Sequence, residues 1–245
     1  MNLLKFLLGC PARIFHYASR DHKLLAIRRI EKNLLKKWLV PGPGEKILDL
    51  ACGMGGGSQI VTSKEGEYYG ADINYKDVVK ARKRFRTSEF VNMDVLHSAF
   101  KKDTFDKVFC NSSLQQFYDD EEALKNICYC LKPSGILVLT LDSLSMDGLS
   151  RRLRDKHRIR YNAYQYYDKQ TISSKLSAAE FEVANYKYYF NSPVSDFFFS
   201  LGIIFGFNSW IQYLFPVSYP LILISDYVFG AKDCGCALAV RAVKK

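Results

Sequence analysis

Four closely spaced glycines and a preceding carboxylate are the residues of this sequence best placed to bind a charged small molecule. Residues 46–58 read KILDLACGMGGGS, a short apolar run that contains Asp49 and leads into Gly53, Gly55, Gly56 and Gly57. Glycines let the backbone approach a ligand closely, and a helix that begins there offers free N–H groups to a negative group. The carboxylate of Asp49 can accept hydrogen bonds from a ligand ammonium. This segment therefore predicts a binding loop between a strand and a helix, although a glycine cluster alone is often only a surface turn.

A second carboxylate follows at a spacing that suits a ribose. Residues 68–72 read YYGAD, so Asp72 ends a second short apolar run. It lies about 20 residues after the first run, where Rossmann-type folds place the carboxylate that holds a ribose diol. The dinucleotide fingerprint itself matches poorly, because Ser58 stands where its third glycine is due.

Five segments in order resemble the motifs of the class I S-adenosylmethionine (SAM) dependent methyltransferases, and among them the methyltransferase type 11 group. They read LDLACGMGGGS, YYGADIN, VNMDVLH, FDKVFCNSSLQQF and LKPSGILVLTL, and they extend from about Gly44 to Leu141. Ala51 replaces a glycine that is common in the first motif, and it is small enough to be compatible with SAM binding. The resemblance implies that SAM is the cofactor and that the chain is a methyl-transferring enzyme.

The resemblance also implies which residues hold the methionine part of SAM. The backbone around Ala51, Gly53 and Gly55 would line it, and Asp49 would lie near its ammonium. Asn111, after the fourth strand, would lie near the reacting methyl group.

By the same resemblance, four further residues would hold the nucleoside. Asp72 would bind the ribose hydroxyls and Ile73 would pack on the adenine. Asp94 would accept a hydrogen bond from the adenine amino group, with Val95 beside the ring. Each carboxylate alone could equally be a solvated loop residue or a helix cap.

The sequence does not identify a catalytic base. Methyl transfer is an in-line displacement that requires an aligned nucleophile and a site without water. A hydroxyl acceptor usually needs a base, whereas a neutral amine does not. Asn111, His157, Tyr164 and Tyr166 are the candidates, and each could instead be a structural or surface residue. Whether the acceptor atom is nitrogen, oxygen or carbon stays open.

Alternating strands and helices must position these residues. We predict strands near 46–50, 67–72, 88–92, 105–111 and 135–142, and helices near 57–64, 75–86, 119–132 and 168–179, the last of these capped by Asp168. Two later strands are predicted near 181–190 and 237–243, and the resemblance to the methyltransferases implies that they form an antiparallel C-terminal hairpin. The expected fold is α/β and Rossmann-like, with a mostly parallel seven-stranded sheet and helices on both faces. Ligands bind such sheets beyond the carboxyl ends of the strands, where the carboxylates named above fall.

Two domain-level segments are expected. Residues 1–43 form a basic amphipathic helical segment, in which apolar residues follow helical spacing from Lys23 to Trp38. Residues 44–245 form the methyltransferase domain, with insertions at 143–167 and 191–235. The first insertion is basic and rich in tyrosine. Its tyrosines are expected to wall the acceptor site and its arginines to meet lipid headgroups.

The second insertion contains Phe197–Ser225, which are 29 residues without a charge and with nine aromatics. Polar residues and Pro216 and Pro220 argue against one membrane span. We expect a re-entrant or interfacial hairpin that contacts the membrane. The alternatives are a buried homodimer interface or an extra internal layer of the fold.

The net charge of +10 is concentrated near the N-terminus and at residues 151–160, which indicates a surface for an anionic partner. The seven cysteines lack metal-ligand spacing, so we expect reduced thiols in a cytoplasmic protein that associates peripherally with a membrane.

The preferred function is SAM-dependent methylation of a hydrophobic, lipid-like or membrane-resident small molecule. The alternatives are an RNA or protein methyltransferase that docks through the basic patches, or a non-catalytic membrane-associated scaffold. Nucleic acid is not an expected partner, because the aromatic insertion lacks interleaved cations.

Overall fold

The computed structural model describes residues 26–97, 99–207 and 209–245. The predictions for residues 1–25, which include the start of the N-terminal helix at Lys23, lie outside the described residues.

Within the described residues the chain alternates strands and helices as expected. The strands are β1 (Lys46–Leu50), β2 (Glu67–Asp72), β3 (Glu89–Asn92), β4 (Phe105–Asn111), β5 (Leu131–Asp142), β6 (Phe181–Tyr189) and β7 (Ala237–Lys244). The helices are α1 (Ala26–Leu39), α2 (Ser58–Thr62), α3 (Tyr75–Arg84), α4 (Asp120–Cys130), α5 (Arg151–Tyr161), α6 (Lys169–Ala178), α7 (Pro193–Phe205) and α8 (Phe215–Phe229). Short 3₁₀ turns cover Val95–His97, Leu114–Gln116 and Trp210–Leu214.

The strands form one seven-stranded sheet in the order β3-β2-β1-β4-β5-β7-β6. The pairs from β3 to β5 are parallel, and β7 pairs antiparallel with both β5 and β6. This confirms the expected Rossmann-like fold with an antiparallel C-terminal hairpin. β5 begins four residues earlier than expected, because Leu131 already pairs with Phe105 before the register shifts.

Side chains alternate between the two faces of the sheet, and this alternation decides which residues meet. On one face, Leu48 of β1 and Leu139 of β5 pack against α4 and α6. On the other face, Ile47 of β1 and Val138 of β5 pack against α1, α2 and α3. Helices therefore cover both faces, as expected.

Residues 191–235 contain two helices, α7 and α8, that pack against each other. Ser192 and Ser195 make a capping box at the start of α7, and the Ser192 hydroxyl donates to Asp226 Oδ1 of α8 at 2.6 Å. Phe199 and Ile222 face inward to a core shared with α1. α7 and α8 therefore follow α6 and add a layer to the fold. Among the described residues, no helix is long and apolar enough to cross a membrane.

Candidate active site

A cavity of about 510 Å³ opens at the carboxyl ends of β1 and β4, under α1. Asp49, Ala51, Gly53 and Asn111 line it, so the structure brings these four predicted residues together. α1 provides the opposite wall through three cations, which are Arg28, Arg29 and Lys32. A ligand in this cavity would touch the glycine loop on one side and positive charge on the other.

The glycine loop has a conformation that few other residues adopt. Ala51, Gly53 and Gly55 have φ values of 57°, 51° and 75°, in the left-handed region. A Cβ at Gly57 would overlap the Asp49 carboxylate, and one at Gly55 would lie 2.8 Å from the Phe90 ring. Open space surrounds Gly53, where the backbone faces the cavity. The loop is therefore shaped for close approach of a ligand to its backbone, as a SAM methionine group would require.

Asp49 is the buried carboxylate of this cavity. It is 4% exposed and accepts a hydrogen bond of 2.6 Å from the Tyr68 hydroxyl. Burial raises its pKa to about 7, and the nearby charge of Asp72 adds to the rise while the Tyr68 hydrogen bond opposes it. A cationic group in the cavity would favour the ionised form, so Asp49 suits a ligand ammonium.

Asp72 lies at the end of β2, beside the cavity rather than in its wall. Its Oδ2 accepts from the Gly53 backbone N–H at 2.7 Å, and its Oδ1 accepts from the Asn74 N–H at 2.7 Å. Asp72 therefore holds the glycine loop in place. Each carboxylate oxygen keeps a lone pair that could accept from a ribose hydroxyl.

The remaining predicted binding residues are not in the cavity wall. Gly55 packs on Phe90, and Ile73 is 70% exposed at the sheet edge. Asp94 Oδ1 accepts from the Leu96 N–H at 3.0 Å, and Val95 is buried in the core. Ile73 and Asp94 follow β2 and β3, so they lie at the carboxyl ends of these two strands.

The four catalytic candidates have different surroundings. Asn111 lines the cavity, and its Oδ1 accepts from the Thr140 hydroxyl at 2.6 Å. His157 is buried, with Nδ1 3.0 Å from the Tyr166 hydroxyl, and burial lowers its pKa to about 4, so it is neutral. Tyr164 is 61% exposed. Among the tyrosines expected to wall the acceptor site, Tyr167 is instead a fully buried core residue.

Sequence reasoning missed two buried carboxylates next to the cavity. Glu31 of α1 is 1% exposed and accepts from the Ser112 hydroxyl at 2.7 Å and from Arg28 at 2.8 Å. Asp142 ends β5 and accepts from Gln115 Nε2 at 2.7 Å. Burial, and then the charge of Glu31, raise the pKa of Asp142 to about 7.

Both carboxylates left a signal in the sequence. Glu31 lies on the apolar face of α1, between Ile30 and Leu34, where a charge is unusual. Asp142 ends a strand, as Asp49 and Asp72 do.

Comparison with known proteins agrees with this geometry. A family model described as "Methyltransferase domain" matches residues 48–139. The ubiquinone/menaquinone biosynthesis C-methyltransferase UbiE of a Ruegeria species is 27% identical over an alignment of 196 positions, which covers 68% of this chain and 78% of that protein. A demethylmenaquinone methyltransferase of Clavibacter sepedonicus is 28% identical over an alignment of 166 positions, which covers 58% of this chain and 68% of that protein.

Solved structures share the fold. Geranyl diphosphate C-methyltransferase from Streptomyces coelicolor superposes with a TM-score of 0.64 at 11% identity, covering 89% of this chain and 79% of that one. A phosphoethanolamine N-methyltransferase from Haemonchus contortus superposes with a TM-score of 0.63 at 18% identity, covering 88% of this chain and 52% of that one. The five motifs occur in order, the strands have the sheet order described above, and the glycine loop lies at the carboxyl edge of the sheet. Because these features agree with the comparisons, the chain is a class I SAM-dependent methyltransferase.

Proposed function

We propose that this enzyme methylates a hydrophobic small molecule that resides in a membrane, and that a prenylated quinone in its reduced form is the acceptor class. The observation that carries the proposal is the position of α1. This helix walls the cavity through Arg28 and packs on its other side against the apolar layer of α7 and α8. The site for a polar cofactor and a large apolar surface thus share one helix.

SAM would supply an electrophilic methyl group to the site. Asp49 would accept from its ammonium, and the backbone at Ala51 and Gly53 would line its methionine part. Asp72 would accept from the ribose hydroxyls. Asn111 lines the same cavity and would lie on the acceptor side.

The nucleoside would extend from the cavity towards the edge formed by β2 and β3. There Ile73 would pack on the adenine, and Asp94 would accept from its amino group. The backbone of Val95 would lie beside the ring, because its side chain is buried in the core. The open space around Gly53 supports this path for the ligand.

The acceptor class follows from the relatives' names and from reaction chemistry. Two relatives are named for methylation in quinone biosynthesis, and one of them is a C-methyltransferase. A ring carbon attacks an electrophilic methyl group only if the ring is rich in electrons. A hydroquinone becomes so when a hydroxyl loses its proton, whereas an oxidised quinone is itself electrophilic. The reduced form is therefore the reactive one.

An apolar stripe on α8 supports membrane contact. Val217, Leu221, Ile224 and Val228 recur at helical spacing on one face, and they are 46–62% exposed. Phe205 and Trp210 are exposed in the same layer. Soluble monomers rarely expose apolar patches of this extent, so a bilayer surface is a suitable partner.

Cations border this apolar layer. Lys156 and Arg160, one turn apart on α5, donate to the Ile204 and Ile203 carbonyls at the end of α7, at 3.0 Å each. They lie beside exposed Phe205, where anionic headgroups would meet them. Arg154 points inward and donates to the Met146 carbonyl, so it is a poorer headgroup ligand than the sequence predicts.

The cofactor assignment is tested by calorimetry with SAM. We expect Asp72→Ala to weaken SAM binding about ten- to a hundred-fold. The substitution removes the charged acceptor of the two ribose hydroxyls, and it removes the hydrogen bond that holds the glycine loop at Gly53. Asp106→Asn, at the opposite end of the sheet, is the control and should bind like the parent. A parent protein that binds NAD but not SAM would refute the cofactor assignment.

The acceptor class is tested with methyl-labelled SAM and reduced demethylmenaquinone in anionic vesicles. We expect label in the quinone fraction, and none when the quinone is kept oxidised. Label that enters only RNA or protein fractions would contradict the acceptor class and favour a macromolecular substrate.

The membrane surface is tested by vesicle flotation. The triple variant Leu221→Ser, Ile224→Ser, Val228→Ser should stay folded, because these side chains are exposed, and should lose flotation. Tyr75→Ser and Val91→Ser change exposed apolar residues near β3, at the edge of the sheet opposite to β6, and these variants should float like the parent. Equal flotation of the triple variant and the parent would exclude α8 as the contact surface.

A further inference from the structure

A buried polar cluster at the carboxyl end of β5 has no role in the function described so far. Its centre is Asp142, whose Oδ2 accepts from Gln115 Nε2 at 2.7 Å and lies 3.7 Å from His157 Nε2. All three residues are at most 9% exposed. Buried carboxyls are rare in proteins unless structure or function requires them.

The cluster borders the cavity. Asp142 and Thr140 of β5 project to the same face of the sheet as Val138, and this is the face that α1 covers. Asn111 joins the two sites, because it lines the cavity and accepts from Thr140. Ser112 and Arg28 also line the cavity, and both donate to Glu31.

Gln115 can serve Asp142 in either protonation state. Its Nε2 donates to the ionised carboxylate, while its buried Oε1 has no hydrogen-bond partner among the described residues. The two ends of a glutamine amide are assigned from hydrogen bonding, and the amide can turn over. In the turned position Oε1 would accept from a protonated Asp142. A carboxyl that gains and loses a proton needs such a neighbour.

Charged and titratable groups face Asp142 from each element packed on it. Glu31 of α1 disfavours the ionised form, whereas Arg28 of α1 favours it. His157 of α5 is neutral because burial lowers its pKa to about 4, so its contact with Asp142 is not an ion pair. Tyr166 and Tyr189 have raised pKa values, mainly through burial, and stay neutral. The balance leaves Asp142 with a pKa of about 7, which suits a general base.

We propose that Asp142 is the catalytic base that accepts the hydroxyl proton of the acceptor, with Gln115 and His157 as positioning residues that hold the carboxylate. The proposal deepens the proposed function and rests on its acceptor class. It assigns the base that the sequence does not identify.

The acceptor O–H bond breaks, its proton moves to the Asp142 carboxylate, and the electron pair stays on the acceptor. The ring carbon then forms its bond to the methyl group, and the pair of the broken S–C bond stays on sulfur. The ring hydrogen leaves to water as a proton while Asp142 returns its own proton to the oxygen. One proton is released to solvent and Asp142 is ionised again.

Infrared spectroscopy tests the cluster without turnover. The parent should show protonated-carboxyl bands that titrate near pH 7, one of which is absent from Asp142→Asn. Asp49→Asn serves as the matched control, since Asp49 is the other buried carboxyl with a pKa raised to about 7, and it should retain the Asp142 band. Identical titrating bands in the parent and in Asp142→Asn would overturn the proposal.

The second test measures kcat against pH with reduced demethylmenaquinone in vesicles. The parent rate should rise with pH through about 7, as Asp142 ionises. Asp142→Asn should lower kcat about 10²- to 10⁴-fold and lose this inflection, with SAM affinity unchanged in calorimetry. Gln115→Leu should shift the inflection to higher pH and lower kcat less than Asp142→Asn does, because it removes a donor that holds the ionised carboxylate.

Asp120→Asn controls for the loss of a buried carboxylate. Asp120 accepts from the Tyr167 hydroxyl at 2.8 Å in the core on the other face of the sheet and is not hydrogen-bonded to the Asp142 carboxylate, so this variant should lose stability but keep the pH inflection. If Asp142→Asn keeps the parent kcat and inflection, the base assignment is wrong while the acceptor class stands. If the parent binds SAM but does not methylate the reduced quinone, the acceptor class is wrong, and the base assignment that rests on it falls with it.

Discussion

Asp49 combines burial with a position in the wall of the cofactor cavity, and these two properties act on its proton in opposite directions. Burial raises its pKa to about 7, so near neutral pH a substantial share of the molecules carry a proton there. A bound ammonium would favour the carboxylate and expel that proton. SAM binding should therefore be coupled to proton release.

We expect calorimetry near pH 7 in buffers of different ionisation enthalpy to show release of part of one proton on SAM binding. Asp49→Asn should abolish the release and weaken binding, because no charge is left to meet the ammonium. Asp142→Asn is the control and should keep the release, since Asp142 belongs to the neighbouring polar cluster and would not meet the ammonium. Binding enthalpies that do not depend on the buffer would contradict an ammonium at Asp49.

The site residues that the sequence indicated are those whose role depends on local order. Asp49 and Asp72 follow apolar runs, so their place at strand ends can be recognised within a few residues. Glu31 could not be recognised in this way, because its partners Ser112 and Tyr189 are 81 and 158 positions away. Gln115 and Asp142, 27 positions apart, meet only because β4 and β5 are neighbours in the sheet.

At the scale of elements, the start of α7 depends on one serine. Ser192 is fully buried, its hydroxyl accepts from the Ser195 N–H at 3.3 Å, and it donates to Asp226 of α8 at 2.6 Å. This residue caps one helix of the added layer and joins it to the other. The sequence showed the length and apolar character of this layer, but its division into two helices depends on such contacts.

We expect Ser192→Ala to destabilise the protein by about 1–2 kcal/mol, because the cap is lost and Asp226 loses a donor. Thermal unfolding measures the change. Ser150→Ala is the control, since Ser150 caps α5 in the same way but is exposed, and its loss should cost about 1 kcal/mol or less. An unchanged melting temperature for Ser192→Ala would show that the contact with Asp226 does not stabilise the layer.

For the whole molecule, the buried titratable groups make stability depend on pH. Asp49 and Asp142 have pKa values raised from 3.8 to about 7, so the folded state holds two protons that the unfolded chain releases above about pH 4. Their contribution to stability is present at low pH and is lost as pH rises through 7. His157 acts in the opposite direction, because its pKa falls from 6.5 to about 4 on burial.

The two carboxyls outweigh the single histidine. The free energy of unfolding should therefore decrease from about pH 4.5 to above 7. Urea unfolding at a series of pH values measures this slope. The double variant Asp49→Asn, Asp142→Asn should remove most of the decrease, and His157→Gln should make it steeper. A parent whose stability rises across this range would contradict the burial of the two carboxyls in ionisable form.

α1 touches two surfaces that would bind different partners. Its Arg28, Arg29 and Lys32 face the cavity, while Asn33 donates to the Tyr219 hydroxyl of α8 at 3.3 Å. A helix held from both sides is ordered further by either ligand, so the second ligand meets a lower entropic cost than the first. Thermodynamic reciprocity then requires vesicles to tighten SAM binding by the same factor by which SAM tightens vesicle binding. The experiment measures SAM affinity with and without vesicles, and vesicle affinity with and without SAM. Asn33→Ala removes the contact between α1 and α8, so it should reduce both of these enhancement factors together. Such an enzyme would hold its methyl donor best at the membrane where its acceptor resides.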